Sequence, residues 1–171
     1  MRAWSMLGAY AAAAAQLVIV GDDLQGEGKY RAEMETLAGQ LGCSARFVGF
    51  QKNVVEWLTA SDVAVVPSHV EPLGNAALEA MACSLPVIAS AVGGLPEMIL
   101  PERTGLLVPP RSPGSLAAAI ARLVADGETR RRFGEQGRQH CEEFFDLKAH
   151  VRSVLDQYAQ MVPQGRFVLA H

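Results

Sequence analysis

Two glutamates separated by seven residues, Glu71 and Glu79, bracket a glycine-bearing helix start in the stretch from Pro67 to Gly94. An ionised carboxylate accepts two hydroxyl hydrogen bonds at once, which is what the vicinal diol of a ribose or hexose requires. Between the two acids, Gly74 removes side-chain bulk at the helix entrance. A diphosphate can then approach the N–H groups of Leu73, Gly74 and Asn75, drawn by the positive end of the helix dipole. Glu79 follows Asn75 by about one helical turn and so adjoins that entrance. Acids for hydroxyls and amides for phosphate together suit a nucleotide-sugar. Taken singly, Glu71 reads better as a loop surface charge and Glu79 as a solvated helix residue. The Ala80-Met81-Ala82 run after Glu79 argues for a partner, because a carboxylate among apolar neighbours is costly without one.

Other chemistry-bearing residues are weaker candidates. Gly93-Gly94 would allow a second close approach of backbone to ligand, or form a plain turn. His69 lies in the same loop as Glu71 and reads equally as a surface residue. Asp22-Asp23 is better read as a loop than as a metal site, since adjacent carboxylates point apart. The Gly21–Gly28 loop does not spell GxGxxG, so a dinucleotide fingerprint is missing. The Arg130-Arg131-Arg132 run alternates with Glu128, Glu135, Glu142 and Glu143 and reads as a solvated helix face. Trp57 and Phe133 belong to apolar helix faces. No Cys/His spacing suits a metal, and no metal is expected.

The elements that must position these residues alternate along the chain. Helical composition over Ala3–Ala15 leads into a β-branched strand, Gln16–Val20, ending at Gly21. Helix Lys29–Leu41 stops at Gly42. Strand Ala45–Val48, helix Asn53–Ala60, strand Asp62–Val66, helix Gly74–Cys83, strand Pro86–Ala89, helix Leu95–Leu100 and strand Gly105–Val108 follow. Three helices close the chain. The first is capped by Ser112, with Pro113 at its first position, and stops at Gly127. The second spans Glu128–Phe144. The third spans Leu147–Met161, with Asp146 as its cap. Continuous apolar strands alternating with helices predict an α/β, Rossmann-like parallel sheet with helices on both faces. In such sheets ligands sit beyond the carboxyl ends of the strands. Residues 1–162 read as one domain and 163–171 as a loose tail.

Composition fits that picture. The 171 residues are 50% hydrophobic and carry a formal charge of −3, which argues against nucleic-acid binding. Three widely spaced cysteines point to a reducing, cytoplasmic setting. The apolar start of the chain resolves into helix and strand, and no run approaches the ~20 residues a transmembrane helix needs.

Ordered motifs extend this reading: Leu17-Val-Ile-Val-Gly21, Phe47-Val-Gly49, Asp62-Val-Ala-Val-Val-Pro67-Ser68, Glu71-x7-Glu79, Ala80-Met-Ala, Pro86-Val-Ile-Ala, Gly93-Gly-Leu-Pro-Glu97 and Thr104-Gly-Leu-Leu-Val108. Over roughly Gln16 to Tyr158 the chain resembles the C-terminal half of retaining GT-B-fold glycosyltransferases of the group one family, which includes sucrose synthases, glycogen synthases and mannosyltransferases. The resemblance implies a donor-binding domain for a nucleotide-diphosphate sugar. Glu71 would contact the donor sugar as the catalytic residue, and Glu79 the ribose diol. Amides at Leu73, Gly74 and Asn75 would take the diphosphate, with Gly93 and Gly94 close by. Val48, Gly49, Phe50 and Gln51 would line the base. Such enzymes generally need no metal or other cofactor.

Three departures from the family pattern stand out. Ser84 replaces a glycine after the Glu79 helix, where a left-handed cap is expected. Arg103-Thr104 replaces a glycine-containing turn before Gly105. Members of the family also carry, upstream of the Gln16–Val20 strand, a central strand with a phosphate-gripping Arg and Lys, and an acceptor-binding domain before that. The expectation is a chain inactive alone, explained by a truncated gene product, a misplaced start or half of a split enzyme, the last with a second chain carrying an acceptor domain as partner. The alternatives are a non-catalytic interaction module and, more weakly, a related epimerase or phosphorylase.

Overall fold

The computed structural model describes residues 1–22 and 28–161. Asp23 and most of the loop before Gly28, and the tail expected after residue 162, lie outside the described residues. In chain order the elements are α1 (Arg2–Ser5), α2 (Ala9–Ala14), β1 (Leu17–Val20), α3 (Lys29–Gln40), β2 (Ala45–Gly49), α4 (Val54–Thr59), β3 (Ala64–Val66), α5 (Asn75–Ala82), β4 (Val87–Ser90), α6 (Leu95–Met98), β5 (Gly105–Val108), α7 (Pro113–Ala125), α8 (Gly127–Phe144) and α9 (Leu147–Met161).

Every described strand pairing is parallel. The strands divide into two sheets, β1-β2 and β3-β4-β5. Leu17 faces Ala45 and Ile19 faces Phe47 in the first; Val87 lies between Ala64 and Gly105 in the second. Among the described residues no strand of one sheet pairs with a strand of the other; the family resemblance puts a further strand between β1 and β3.

The three-stranded sheet carries the core. β4 is buried at all four positions because it has a strand on each side and helices on both faces. On one face α5, α6 and α8 bring Ala77, Ala80, Met81, Leu95, Met98 and Cys141 onto Val66, Val87 and Ala89. On the other, Ala119, Ile120 and Leu123 of α7 and Phe133 of α8 cover Ile88, Leu106 and Val108, with Trp4, Leu7, Val63 and Val65 at the margin. Burying each large aliphatic side chain contributes about 1.5–3 kcal/mol, so this double cover is the main source of stability.

Several local expectations change. The single helix expected over Ala3–Ala15 breaks at Gly8, whose extended backbone starts α2 as a separate helix and leaves Trp4 and Leu7 against the α7 face. Gly127 does not stop α7. It opens α8, because the Asp126 carboxylate caps that helix by accepting the Thr129 amide at 2.9 Å. Ser112 stands before Pro113 as expected, but its hydroxyl bonds the Ser115 hydroxyl at 2.8 Å and not the backbone. Asp146 does cap α9, accepting the amides of Lys148 and Ala149 at 3.0 Å each.

The two local departures resolve in one way. Ser84 adopts φ 60°, and the amides of Ser84 and Leu85 return to the carbonyls of Met81 and Ala80. This is the left-handed helix ending that glycine normally serves, kept with a serine. In the turn before Gly105 the left-handed residue is Glu102, at φ 63°. Its carboxylate receives two 2.6 Å hydrogen bonds from Arg122, which hold its pKa below the ordinary carboxylate value. The buried Thr104 hydroxyl accepts the Leu100 amide at 2.9 Å.

Candidate functional site

The loop from Pro67 to Gly74 leaves the carboxyl end of β3 and delivers the chain into α5. Its shape is set by the segment after β4. Gly94 donates its amide to the Glu71 carbonyl at 3.2 Å. A Cβ on Gly93, at φ +52°, would fall on that same carbonyl oxygen. A Cβ on Gly94 would sit 2.9 Å from the Leu73 oxygen and 3.0 Å from that of Pro72. A Cβ on Gly74, at φ +103°, would stand 2.8 Å from Leu95 Cδ2 and 3.3 Å from Met98 Sδ. The Gly93-Gly94 turn and the first turn of α6 therefore form a wall pressed against Glu71–Gly74. The close approach these glycines permit is of loop to loop, which differs from the approach to ligand inferred from sequence, and the Gly94 amide is already engaged.

Glu71 is half-buried, and the Ser68 hydroxyl lies 3.3 Å from its Oε2. Sequence reasoning does not single out Ser68 as a site residue, although its place two residues after the end of β3 makes it available. Gly74 is buried, whereas Leu73 and Asn75 are exposed at the mouth of the helix. No side chain caps α5. Its first carbonyl, on Gly74, accepts the amides of Ala77 and Leu78, and the Asn75 and Ala76 amides donate to no protein acceptor among the described residues. An eight-residue helix with an uncapped, outward-facing amino end is suited to hold an anion.

Glu79 corrects one expectation. It is exposed on α5 because Ala77, Ala80 and Met81 take the buried face. The burial argument for a partner therefore does not apply, and its carboxylate is presented to solvent beside a shallow groove shared with Arg138 and Glu142. His69 is exposed in the same loop.

Val48, Gly49, Phe50 and Gln51 lie at the carboxyl end of β2, on the other sheet. The Gly49 carbonyl accepts the Gly21 amide at 2.9 Å, and the Gln51 amide nitrogen donates to the Val48 carbonyl at 2.8 Å, so this segment closes on itself and on the end of β1. Phe50 is 58% exposed. Arg31 reaches in from α3, donating to Glu35 at 2.8 Å and to the Phe47 carbonyl at 3.3 Å, with Asp22 at 3.7 Å. A groove of about 450 Å³ opens between β1 and α3, lined in part by Ile19, Met34 and Phe47. Among the described residues, no hydrogen bond or ion pair ties this end to Glu71 or Glu79. The structure thus assembles Glu71, Leu73, Gly74, Gly93 and Gly94 into one packed unit, leads from it into Asn75 and Glu79 on α5, and carries the 48–51 segment on the other sheet.

Among the described residues, no three His, Cys, Asp or Glu side chains gather at a metal site, and no helix is long and apolar enough to cross a membrane. Cys43, Cys83 and Cys141 are free thiols.

Comparison with known proteins gives the family and the fold. Residues 2–140 match the family described as Glycosyl transferases group 1. D-inositol 3-phosphate glycosyltransferase 2 of Catenulispora acidiphila is 36% identical over 137 residues, covering 78% of this chain and 32% of that protein. Alpha-maltose-1-phosphate synthase of Mycolicibacterium smegmatis is 42% identical over 112 residues, covering 62% of this chain and 29% of that protein. Among solved structures, sucrose-phosphate synthase of Thermosynechococcus elongatus superposes with a TM-score of 0.79 at 38% identity, over 93% of this chain and 42% of that one. HepE of Anabaena, solved in complex with UDP, superposes with a TM-score of 0.85 at 24% identity, over 92% of this chain and 43% of that one. The chain spans about a third of the length of the curated relatives it matches. Its fold is that of the C-terminal half of a GT-B glycosyltransferase.

Proposed function

The chain belongs to the Glycosyl transferases group 1 family, and on that premise we propose that it is the donor-binding domain of a retaining glycosyltransferase. The observation that carries this reading is the uncapped amino end of α5, its Asn75 and Ala76 amides unengaged, placed between the half-buried Glu71 and the exposed Glu79. The diphosphate of a nucleotide-sugar docks on those amides. Glu79 accepts hydrogen bonds from the ribose diol, and Glu71, steadied by Ser68, accepts them from the donor sugar. The Val48–Gln51 segment borders the base.

In the transfer itself the bond between the anomeric carbon and the phosphate oxygen breaks, and its electron pair leaves with the diphosphate. The helix-end amides stabilise the charge that develops there, which is the part of the barrier a fixed dipole lowers most. The acceptor hydroxyl bonds the anomeric carbon from the face the diphosphate leaves and passes its proton to an oxygen of the departing diphosphate, so the configuration is retained. This route uses no metal. The acceptor is held by a separate domain or chain, so the 171-residue chain alone binds donor weakly and transfers nothing. The division of the described strands into two unpaired sheets supports the related reading of one half of a split enzyme or a non-catalytic interaction module, completed by a partner chain. Three free thiols and a chain with no membrane-crossing helix among its described residues suit a cytoplasmic setting.

Isothermal titration against nucleoside diphosphates and nucleotide-sugars tests the reading, with UDP and UDP-glucose as the first probes. Glu79→Ala and Glu71→Ala should each weaken donor binding by roughly ten- to a hundredfold, the worth of one hydrogen bond to a charged group. Absence of heat with every donor sinks the donor-domain reading. Full turnover by the chain alone contradicts the need for a separate acceptor domain.

A further inference from the structure

α8 lies along α5 and meets it at successive points. A Cβ on Gly134 would fall on the Ser84 carbonyl oxygen, so no residue larger than glycine fits there unless that carbonyl moves. A Cβ on Gly137 would touch Met81 at 3.6 Å, an ordinary contact. Arg138 donates Nη1 to the carbonyl of Ala82, the last residue of α5, and Nε to Glu142 Oε1 at 2.6 Å. Cys141 Sγ lies 3.7 Å from the Leu78 carbonyl. The carbonyls of a helix's last turn have no partner within the helix, and a guanidinium there satisfies one and complements the dipole.

At its other end α5 rests on α6 through Gly74, Leu95 and Met98. The helix is eight residues long, about 12 Å, and moves as a unit. A displacement of its carboxyl end therefore carries Glu79 and the Asn75 and Ala76 amides with it. Arg138 and Glu79 also line the same groove, of about 340 Å³.

We propose that Arg138 and Gly134 are positioning residues for the donor cradle: they act on the Ala82 and Ser84 carbonyls to set the placement of α5, and so of the helix-end amides and Glu79. The inference rests on the donor-domain reading for its functional meaning, but its structural part can be read without any ligand.

The test uses the full chain with Arg138→Met, Arg138→Lys, Gly134→Ala and the double variant Gly134→Ala with Ser84→Gly. Amide NMR spectra of the unliganded proteins and titration with UDP are the readouts. In Arg138→Met the Asn75, Ala76 and Glu79 resonances should shift while those of β1 and β2 stay in place, and UDP affinity should fall roughly tenfold. Arg138→Lys, which still offers a donor, should recover most of both effects. Gly134→Ala should act in the same direction. Ser84→Gly in the same chain should recover part of the loss, because a glycine lets the opposing carbonyl swing aside. A lowered melting temperature with unmoved Asn75 and Ala76 resonances and unchanged UDP affinity overturns the inference and leaves α8 a merely structural helix. Shifted resonances in a chain whose wild type binds neither UDP nor any other nucleoside diphosphate or nucleotide-sugar keep the link between the helices and overturn the donor-domain reading.

Discussion

The two halves of the molecule are built from the same strand–helix alternation and reach different results. From β3 to α8 a three-stranded sheet has helices on both faces, and Ile88, Met81, Leu95, Ile99, Leu123 and Phe133 are fully buried. From β1 to α4 a two-stranded sheet holds one buried hydrophobic residue among those described, Ala38, while Val20, Phe50 and Val55 remain exposed. Strand sequence alone does not make a core. A β-branched run such as Leu17–Val20 needs a partner on each edge and a cover on each face before its side chains leave water. The proposed cradle for phosphate and sugar lies in the first of these regions, whereas the segment assigned to the base lies in the second.

The sharpest way to break this comparison is to remove matched side chains. Ile88→Ala should destabilise the protein by about 4 kcal/mol, because the site is closed on every side and cannot collapse. Ile19→Ala, at a half-buried position of β1, should cost about 1 kcal/mol. Denaturant titration of both reads the difference, and equal losses would contradict it. Hydrogen exchange should agree, with β4 amides opening only in global unfolding and β1 amides at lower free energy.

Gly93→Ala tests whether the packing of the stronger half extends to the cradle. The new methyl meets the Glu71 carbonyl on a left-handed backbone, and about 3 kcal/mol of stability should be lost. Denaturation measures that loss, and a neutral result would mean that the Glu71 loop is not held by the turn after β4. Ser84→Gly should act the other way and add about 1 kcal/mol, since serine carries a left-handed strain that glycine does not. An unchanged midpoint would show that the strain is already relieved.

The smallest effect concerns the joint between α7 and α8. Hydrogen bonding from Thr129 lowers the Asp126 pKa below the ordinary carboxylate value. Its contribution is therefore present above the unfolded-state pKa and is lost as pH falls through the lowered folded-state value. Asp126→Ala should lower the melting temperature modestly at neutral pH and match the parent in strong acid. A difference that persists in acid would place the effect elsewhere than in the charge.

Much of the fold was legible because its signals are local. Leu17–Val20, Val63–Val66 and Val87–Ala89 announce strands through β-branched runs, and the helices between them require parallel pairing. Misreadings arose where two local signals competed. Gly127 looked like a stop, but the carboxylate of Asp126 just before it makes a stronger start. In the candidate site, Glu71, Gly74 and Asn75 were legible as a loop entering a helix. Glu79 was placed correctly on that helix but was expected to be shielded. The apolar run around it supplied the buried face through Ala77, Ala80 and Met81 and turned Glu79 outward. Contacts made across the fold had no signal at all. Gly93 faces a carbonyl 22 residues earlier, and Arg138 reaches one 56 residues earlier, and only the folded chain brings these together.

The central claim is that the amino end of α5 receives the diphosphate of an activated sugar. Titrating the isotopically labelled chain with UDP-glucose and following its backbone amides tests this most directly. The account predicts that the largest shifts fall on Leu73, Gly74, Asn75 and Ala76, with Glu79 close behind. Saturable shifts confined to other surfaces, with those amides unmoved, would contradict it.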